Sequence, residues 1–474
     1  MPLPVISVAQ MREWENATWA AGGSPAAVIK KVGRALARRA LDLTQPGDTI
    51  LILAGRGHNG DDARAARLLL PQRKVALVDA AHPRTALVEF SRRIRPMPRR
   101  ALPALVVDGL FGIGLNRPLD ASWKALVDAI NQSGIPVLSV DVPSGLNADN
   151  GRAEGAAIRA DITLTVGAPK RGLLSSGEWV GRLEVATDIG LLPCPLSSEL
   201  NWTLPQDFAD WPPRRPVESN KGTFGHLAII AGSAGFHGAA VLAARGALRA
   251  QPGLVTVEPQ ESVYIPVAAQ LQAAMVQPWR AARPLPANAT AILFGPGLAA
   301  DKLPQSLKKE LRAHWASFPG PMIVDASALD WLTPGAATAA KVRVITPHPG
   351  EAGRLLGITA KEVQADRVKA LRQLSRRFGD CYVVLKGNQT LIGRASGDLF
   401  VNSSGNPFLA QGGSGDLLGG YMAGFLAQPA CQKDPLTAIR FAVWQHGTAA
   451  DECDRRRDNF TVEDMVLQLG SVRP

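Results

Sequence analysis

Short runs of apolar and β-branched residues alternate along the chain with longer segments in which apolar residues recur at helical spacing. In the first half these runs predict strands at residues 49–54, 74–78, 105–108, 136–141 and 162–166. In the second half they predict strands at residues 227–231, 254–257, 291–294, 322–325, 342–346 and 381–385. The segments between them predict helices, for example at residues 26–40, 62–70 and 122–130. Strands that alternate with helices are typical of parallel α/β sheets.

Residues 192–216 interrupt this alternation with six prolines, two tryptophans and many polar residues. Such a segment is typical of a connector between domains. We therefore predict two α/β domains, a Rossmann-like three-layer α/β/α domain at residues 1–215 and a second α/β domain at residues 216–474. The length of 474 residues agrees with that number.

Composition narrows the class of protein. A content of 46% hydrophobic and 20% charged residues excludes a largely disordered chain. The net charge of +11 favours anionic partners. Phosphorylated small molecules satisfy that charge, whereas the aromatic-interleaved basic motifs of nucleic-acid binding are missing from the sequence.

The four cysteines show neither a CxxC pattern nor a metal-ligand spacing with histidine, which favours free thiols in a reducing compartment. The amino terminus lacks the basic and apolar regions of a signal peptide. We therefore expect a cytoplasmic protein without nucleic-acid or membrane partners.

The sharpest local motif is Gln411-Gly412-Gly413-Ser414-Gly415-Asp416, directly before a helical segment at residues 417–426. Glycines at a helix start let backbone amides approach an anion, and the helix dipole adds partial positive charge. An aspartate in the first helical turn can accept a proton from a hydroxyl held against those amides. The motif predicts a phosphoryl-transfer site with Asp416 as base; the alternative is a Gly-rich turn in which Asp416 only caps the helix.

Three further loops follow predicted strands of the second half. Lys386-Gly387-Asn388-Gln389-Thr390 follows residues 381–385, Gly295-Pro296-Gly297 follows residues 291–294, and His348 lies between two prolines after residues 342–346. Ligands of α/β sheets bind at the carboxyl ends of the strands. We expect the first loop to meet nucleotide phosphates and His348 to face a ligand, although a structural role for a single histidine is the alternative.

Residues from about 217 to 474 resemble the ribokinase-like domain of ADP/ATP-dependent NAD(P)H-hydrate dehydratases. The segments that carry the resemblance are residues 221–226, 231–233, 295–298, 347–351, 386–387 and 413–416. They occur in the order found in that family. The resemblance implies a ribokinase-like α/β fold for the second domain.

The resemblance also implies a reaction and its residues. Water added across the nicotinamide ring leaves a hydroxyl, which is a poor leaving group until phosphorylation converts it to phosphate. By this resemblance the S epimer of the hydrate is dehydrated at the expense of ADP or ATP with Mg²⁺. Asp416 would be the catalytic base. Lys386, Gly387, Asn388, Gln389, Thr390 and Gly415 would bind the nucleotide, and Ala239, Gly297, His348 and Asp416 would contact the hydrate.

Three predicted strands of the first half also end in loops with glycines. These loops are residues 55–63, 108–115 and 141–146, and we expect them to converge on one site at the sheet edge. Asn59, Asp108 and Ser144 offer hard oxygen ligands, which suit an alkali or alkaline-earth cation rather than zinc. The alternative is that Asp108 and Asp141 only cap the turns that follow them.

Residues 1–215 resemble the NAD(P)H-hydrate epimerase domain that is often fused ahead of the dehydratase. The resemblance implies interconversion of the R and S hydrates, with K⁺ held by Asn59, Asp108 and Ser144. It implies substrate contacts from His58, Asn59, Gly60, Asp61, Asp62, Gly112, Ile113, Gly114, Leu115, Asn116, Arg117, Pro118 and Asp141.

The first domain departs from the family pattern at its glycine-rich turn. The family's Gly-Asn-Asn-Gly-Gly-Asp-Gly reads Gly57-His58-Asn59-Gly60-Asp61-Asp62-Ala63. Asp61 would bring a second carboxylate towards a pyrophosphate, and Asp61 and Ala63 would deny the turn positive φ angles. Lys30 and Lys31 stand where relatives carry Glu-Asn. Epimerase activity is therefore a hypothesis.

The leading hypothesis is a bifunctional repair enzyme acting on NAD(P)H hydrate and on ADP or ATP, and we expect a homo-oligomer. A small-molecule kinase that keeps its phosphorylated product is one alternative. In the other, the first domain is a catalytically silent binding or scaffolding module.

Overall fold

A computed structural model describes residues 2–95, 102–174, 176–335, 342–456 and 459–474. The chain divides into two compact domains, Leu3–Ser198 and Glu199–Pro474. Within the described ranges, helices that are long and apolar enough to span a membrane are absent.

The first domain contains a short strand β1 (Leu3–Pro4) and a sheet of six parallel strands in the order β3-β2-β4-β5-β6-β7. The sheet strands are β2 (Thr49–Ala54), β3 (Lys74–Asp79), β4 (Leu105–Gly109), β5 (Val137–Val140), β6 (Ile162–Val166) and β7 (Arg182–Ala186). The helices are α1 (Val8–Ala20), α2 (Pro25–Asp42), α3 (His58–Arg67), α4 (Pro83–Ile94), α5 (Ala121–Gln132) and α6 (Gly177–Val180). The order of the strands reverses between β2 and β4, which creates a crevice at their carboxyl ends.

Strand β2 shows why this domain has three layers. Residues 50–54 of the strand are all buried. Ile50 and Ile52 belong to one core cluster, whereas Leu51 and Leu53 belong to another. Because successive side chains of a strand point to opposite faces, helices cover the sheet on both sides. This arrangement confirms the predicted three-layer fold.

The second domain has strands in the order β8-β17-β16-β15-β14-β13-β12-β9-β10-β11. They are β8 (Leu200–Trp202), β9 (His226–Ile230), β10 (Leu254–Glu258), β11 (Met275–Val276), β12 (Ala291–Phe294), β13 (Met322–Val324), β14 (Arg343–Ile345), β15 (Tyr382–Leu385), β16 (Leu391–Gly393) and β17 (Leu399–Val401). Strand β16 runs antiparallel to both of its neighbours, while the pairs from β11 to β15 are parallel.

Helices of the second domain cover this sheet. They are α7 (His237–Arg249), α8 (Tyr264–Ala268), α9 (Gln305–Ser317), α10 (Pro349–Leu356), α11 (Ala360–Ala365), α12 (Arg367–Arg377), α13 (Ser414–Leu426), α14 (Pro435–Arg456) and α15 (Val462–Gln468). Helix α13 approaches α7 so closely that a Cβ built on Gly420 would lie 1.8 Å from the Ala243 carbonyl oxygen. This close contact fixes the position of the glycine-rich start of α13.

The boundary between the domains lies earlier than the predicted cut near residue 215. Strand β8 pairs in parallel with β17 of the second sheet. The fully buried ring of Phe208 lies 5.4 Å from the ring of Phe441 and 5.5 Å from that of Trp444. The composition of residues 192–216 resembles a linker, but their apolar side chains pack into the second domain from Glu199 onwards.

Phe208→Ala tests this assignment. We expect the second domain to lose about 3–5 kcal/mol of unfolding free energy, because a buried aromatic ring is replaced by a cavity. Val217→Ala, at an exposed position close by, is the control and should change stability by less than about 0.5 kcal/mol. Urea unfolding followed by tryptophan fluorescence measures both. Equal stability of the two variants would show that the segment is a linker.

Candidate functional sites

The second domain gathers charged side chains where β13, β14 and β15 end. The ammonium group of Lys386 lies 2.9 Å from Asp325 Oδ1, and the Thr346 hydroxyl donates a hydrogen bond to the same oxygen at 2.6 Å. Glu351 Oε2 lies 3.9 Å from the Lys386 ammonium. Asp325 is buried at 1% exposure. Burial lowers the pKa of Lys386, but the charges of Asp325 and Glu351 outweigh it and raise that pKa overall.

Asp416 lies in the first turn of α13, beside this ion pair. A Cβ built on Gly415 would lie 3.3 Å from the Lys386 ammonium nitrogen, so the helix start and the lysine are adjacent. Burial and the negative charge of Asp325 raise the pKa of Asp416 to about 7, with Lys386 acting in the opposite direction. A carboxyl group with this pKa can both take up and release a proton near neutral pH.

Arg367 holds the backbone of the predicted nucleotide-binding loop in place. Its guanidinium donates hydrogen bonds to the carbonyl oxygens of Leu385, at 3.0 Å, and of Asn388. The hydroxyl of Thr390 donates to the Gly387 carbonyl oxygen at 3.0 Å. Burial lowers the pKa of Arg367 to about 10. The loop therefore has a fixed backbone, and this support was missed in the sequence because α12 carries several arginines without a distinguishing motif.

The predicted hydrate contacts lie at the same edge of the sheet. Gly297 has a φ of 65°. A Cβ built on it would lie 2.8 Å from the Ala239 Cβ and 2.4 Å from the Phe236 carbonyl oxygen. The Ser233 hydroxyl donates a hydrogen bond to the Gly297 carbonyl oxygen at 2.6 Å. Ala239 and Gly297 are thus neighbours, and a side chain at position 297 would collide with α7.

His348 has a structural contact that the sequence did not reveal. Its Nδ1 accepts a hydrogen bond from the Gly350 amide at 3.0 Å and so caps α10. The His348 amide in turn donates to Glu351 Oε2 at 2.8 Å. Half of the His348 side chain is nevertheless exposed. The residue therefore orients Glu351 while part of its ring stays accessible.

Asp325 and Glu351 were missed as site residues. Asp325 ends the predicted strand at residues 322–325, so the strand-end argument that selected Lys386 applied to it as well. Glu351 lies within residues 347–351, one of the segments that carry the family resemblance, but no role was predicted for it. The structure gives both a role, since they face the Lys386 ammonium.

The first domain contains a cavity of about 750 Å³ in the crevice between β2 and β4. Ten predicted substrate contacts line it: His58, Asn59, Asp62, Gly112, Ile113, Gly114, Leu115, Asn116, Arg117 and Asp141. Gly60, Asp61 and Pro118 are not part of its lining. A Cβ built on Gly60 would lie 2.1 Å from the Gly55 carbonyl oxygen, so this glycine serves the packing of α3 on the end of β2.

Asp141 is paired with a lysine that the sequence did not single out. The ammonium group of Lys170, which is fully buried, lies 2.6 Å from Asp141 Oδ1. The same oxygen accepts hydrogen bonds from the Thr165 hydroxyl and the Val166 amide, both at 3.0 Å. Asp141 has a φ of 62°, an uncommon backbone conformation for aspartate that these contacts hold in place.

Two further carboxyl groups lie in the same cavity. Burial raises the pKa of Asp62 to about 8, and the charges of Asp141 and Asp61 add to this effect. Burial and the charge of Asp141 also raise the pKa of Glu15, which the sequence did not predict as a site residue. The cavity thus holds a carboxylate in an ion pair beside a carboxyl group that keeps its proton at neutral pH.

The predicted cation ligands lie together. They differ in how many of their oxygen atoms already take part in hydrogen bonds within the protein. Asp108 is fully buried, and its two carboxylate oxygens accept hydrogen bonds from Ser139, Ser144 and the Leu110 amide. Burial raises the pKa of Asp108, against these hydrogen bonds. The Asn59 amide donates to the Phe111 carbonyl at 3.0 Å and to the Val140 carbonyl at 2.7 Å.

The departures from the family pattern do not act as predicted. Asp61 and Ala63 lie inside α3, which begins at His58, and neither has a positive φ. Asp61 pairs with Arg64 at 3.1 Å outside the cavity lining, so its charge is compensated. Lys31 pairs with Asp188 at 3.2 Å, and neither Lys30 nor Lys31 lines the cavity. The predicted obstruction of the turn was therefore wrong, because a helix replaces the turn.

Comparison with known proteins covers both domains. The family model described as NAD(P)H-hydrate dehydratase matches residues 227–468, and that described as YjeF-related protein N-terminus matches residues 25–172. The bifunctional NAD(P)H-hydrate repair enzyme Nnr of Coxiella burnetii is 33% identical in an alignment 469 positions long, which covers 93% of this chain and 93% of the relative. The protein of the same name from Gloeobacter violaceus is 34% identical in an alignment 504 positions long including gaps, which covers 98% of this chain and 96% of the relative.

A solved structure is similar to the second domain. The ADP/ATP-dependent NAD(P)H-hydrate dehydratase from Bacillus subtilis, co-crystallised with ATP/Mg²⁺, is 32% identical. The match covers 56% of this chain and 95% of that one, with a TM-score of 0.51. With both domains matched in order and the relatives covered almost end to end, this chain belongs to the family of bifunctional NAD(P)H-hydrate repair enzymes.

Proposed function

We propose that the second domain dehydrates the S epimer of NAD(P)H hydrate by transferring a phosphoryl group from ADP or ATP to its hydroxyl. The observation that carries this proposal is the position of Asp416, with a pKa of about 7, in the first turn of α13 and next to Lys386. Family membership favours this reaction over that of a kinase that keeps its phosphorylated product.

The reaction moves two protons and one phosphoryl group. Asp416 accepts the hydroxyl proton as the hydroxyl oxygen bonds to the terminal phosphorus of the nucleotide. The bond from that phosphorus to the bridging oxygen breaks, and AMP or ADP leaves. The lone pair of the ring nitrogen then expels the new phosphate and leaves an iminium ion. Loss of a proton from the neighbouring ring carbon to water or to the released phosphate restores NADH or NADPH. Backbone amides at the start of α13 and the Lys386 ammonium stabilise the negative charge on the transferring group.

The charged residues around Lys386 fit a nucleotide-bound Mg²⁺. Asp325 Oδ1 is engaged by Lys386 and Thr346, while its Oδ2 lies 4.0 Å from a Cβ built on Gly415. Carboxylate oxygens of Asp325 and Glu351 are the hard donors that Mg²⁺ prefers, either directly or through water. When bound, Mg²⁺ would neutralise phosphate charge during transfer. The loop from Lys386 to Thr390 would hold the nucleotide with its rigid backbone.

For the first domain, the carboxyl groups of the cavity support epimerisation of the R and S hydrates. Inversion at the hydroxyl-bearing carbon is balanced if the hydroxyl loses its proton while the bond from that carbon to the ring nitrogen breaks, which leaves an aldehyde and a protonated nitrogen. Closure on the other face of the aldehyde reverses these changes, so one group must take a proton and another must give one. Asp62 holds a proton at neutral pH, and Asp141 is a carboxylate in an ion pair with Lys170. Two carboxyl groups in different protonation states suit these complementary roles.

The oxygen atoms beside the cavity fit K⁺, with Asp108 in an indirect role. The carbonyl oxygens of Phe111 and Val140 meet at the Asn59 amide, and the Ser144 hydroxyl lies 3.3 Å from the Phe111 carbonyl oxygen. Such neutral oxygens are suitable ligands for an alkali cation. Asp108 supplies negative charge and orients Ser144. When bound, K⁺ would place positive charge at the cavity wall.

We also expect a homo-oligomer. Strand β11 pairs with β10 and stands last in the order of the second sheet. Its Met275 is 47% exposed, and Ile265 on the preceding helix α8 is 76% exposed. Apolar side chains at a sheet edge support association with another chain.

Asp416→Asn tests the proposed base. We expect dehydration of the S hydrate to fall by about 10²–10⁴-fold, because the hydroxyl keeps its proton. Nucleotide affinity should change little, since backbone groups form most of the phosphate contacts. Glu463→Gln removes an exposed carboxylate from the first turn of α15 and is the control. Return of dihydronicotinamide absorbance measures turnover, and normal turnover by the Asp416→Asn variant would disprove the role.

The pH dependence of dehydration provides a second test. Since Asp416 must be deprotonated and has a pKa of about 7, kcat/KM should fall as pH decreases below 7 and reach roughly a tenth of its plateau at pH 6. Asp325→Asn removes a charge that raises this pKa, so the acid limb should move to lower pH. A limb that does not move, or moves upward, would contradict the electrostatic coupling.

Asp141→Asn tests the first domain. We expect epimerisation to fall by about 10²–10⁴-fold while dehydration of pure S hydrate stays unchanged. Asp42→Asn loses the same charge from the exposed end of α2, outside the cavity lining, and should stay within about twofold of the native rate. Chromatographic separation of the epimers measures exchange without nucleotide. If both variants retain epimerisation, Asp141 has no part in it.

A further inference from the structure

The cavity of the first domain has a basic end that the epimerisation chemistry does not use. Arg56 follows β2, and His82 follows β3, so both lie at the carboxyl edge of the sheet. Both line the cavity, and Arg56 Nη2 lies 3.4 Å from His82 Nε2. A guanidinium carries hydrogen-bond donors and no acceptor, so His82 Nε2 is the acceptor in this contact. Two groups that can carry positive charge thus meet in one place.

Asp79 is the carboxylate nearest in sequence to His82, and it lies outside the cavity lining. Asp79 ends β3 but does not line the cavity, whereas Ala80, Ala81 and His82 do. Asp79 Oδ1 lies 3.4 Å from Arg64 Nη2 and accepts a hydrogen bond from the Ala81 amide at 3.1 Å. Asp79 shares Arg64 with Asp61, and neither carboxylate lines the cavity where the basic pair lies.

In sheets that bind dinucleotides, the residues at the end of this strand decide whether a ribose 2′-hydroxyl or a 2′-phosphate is bound. After the strand that follows the glycine-rich turn, a carboxylate receives the ribose 2′-hydroxyl, whereas an arginine accommodates a 2′-phosphate. Here β3 is that strand, its carboxylate is paired with Arg64, and Arg56 and His82 line the cavity instead. Helix α4 begins directly after His82. Among the described residues, no side chain caps the start of that helix with a hydrogen bond.

We propose that Arg56 and His82 form a subsite for the 2′-phosphate of the dinucleotide, so that the epimerase domain prefers NADPH hydrate to NADH hydrate. The proposal rests on the proposed epimerase function. The phosphate dianion would accept hydrogen bonds from the guanidinium, which are charge-assisted and strong, and from the other ring nitrogen of His82, Nδ1–H. The carboxyl groups of Glu15, Asp62 and Asp141 interact with one another and would handle the hydrate ring.

The experiment compares epimerisation of the two hydrates by the full chain without ADP or ATP, so that the dehydratase is silent. We expect kcat/KM to be at least about tenfold higher for NADPH hydrate, and Arg56→Gln or His82→Ala to reduce that ratio to about one to three. The rate on NADH hydrate should stay within about twofold of native. Arg34→Gln, an exposed arginine of α2 outside the cavity lining, is the control for loss of one positive charge.

Inhibition gives an independent readout of the same subsite. Adenosine 2′,5′-bisphosphate should inhibit epimerisation at least about tenfold more strongly than 5′-AMP, and Arg56→Gln should remove the difference. If native enzyme epimerises both hydrates equally well, or if both variants keep the native ratio, the subsite is wrong. If the native enzyme epimerises neither hydrate, the epimerase function itself fails. Loss of activity on both hydrates to the same extent in a variant would likewise contradict a 2′-phosphate contact.

Discussion

In each domain a lysine faces a buried aspartate at the carboxyl ends of parallel strands, and the proposed site depends on that ion pair. Lys386 and Asp325 lie 2.9 Å apart in the second domain, and Lys170 and Asp141 lie 2.6 Å apart in the first. A buried charge without a partner destabilises a protein by about 3–5 kcal/mol, so the two members of each pair require one another. At the same edges, burial and the charges of neighbouring carboxylates drive further carboxyl groups, Asp416 and Asp62, towards protonation.

The backbone provides the second constraint, because it decides which groups can reach these pairs. Close contact between α13 and α7 places the start of α13 against Lys386. Arg367 fixes the loop after β15 through its carbonyl groups rather than through side chains. In the first domain the reversal of strand order between β2 and β4 opens the cavity. In both domains rigid backbone presents amides and carbonyls, and a few side chains provide the acid–base chemistry.

Much of this arrangement could be predicted from the sequence because it follows local rules. Apolar runs located the strands, the ends of those strands located Lys386 and Asp141, and the glycine-rich motif before a helix located Asp416. Arg367 and Lys170 could not be found in this way, since their partners are backbone groups or residues brought near only by folding. Asp61 and Ala63 were misjudged because the pattern of a turn was applied where α3 begins. Residues 199–215 were assigned to a linker because composition does not reveal that Phe208 is buried.

The central claim is that the hydroxyl of the hydrate attacks phosphorus, with Asp416 removing its proton. The most direct measurement follows the hydroxyl oxygen itself. Hydrate whose hydroxyl carries oxygen-18 would be dehydrated with ADP or ATP in ordinary water, and the released phosphate analysed by mass spectrometry. The account predicts that each phosphate formed contains one oxygen-18 atom. Recovery of the label in water, with unlabelled phosphate, would show that hydroxide leaves without phosphorylation and would contradict it.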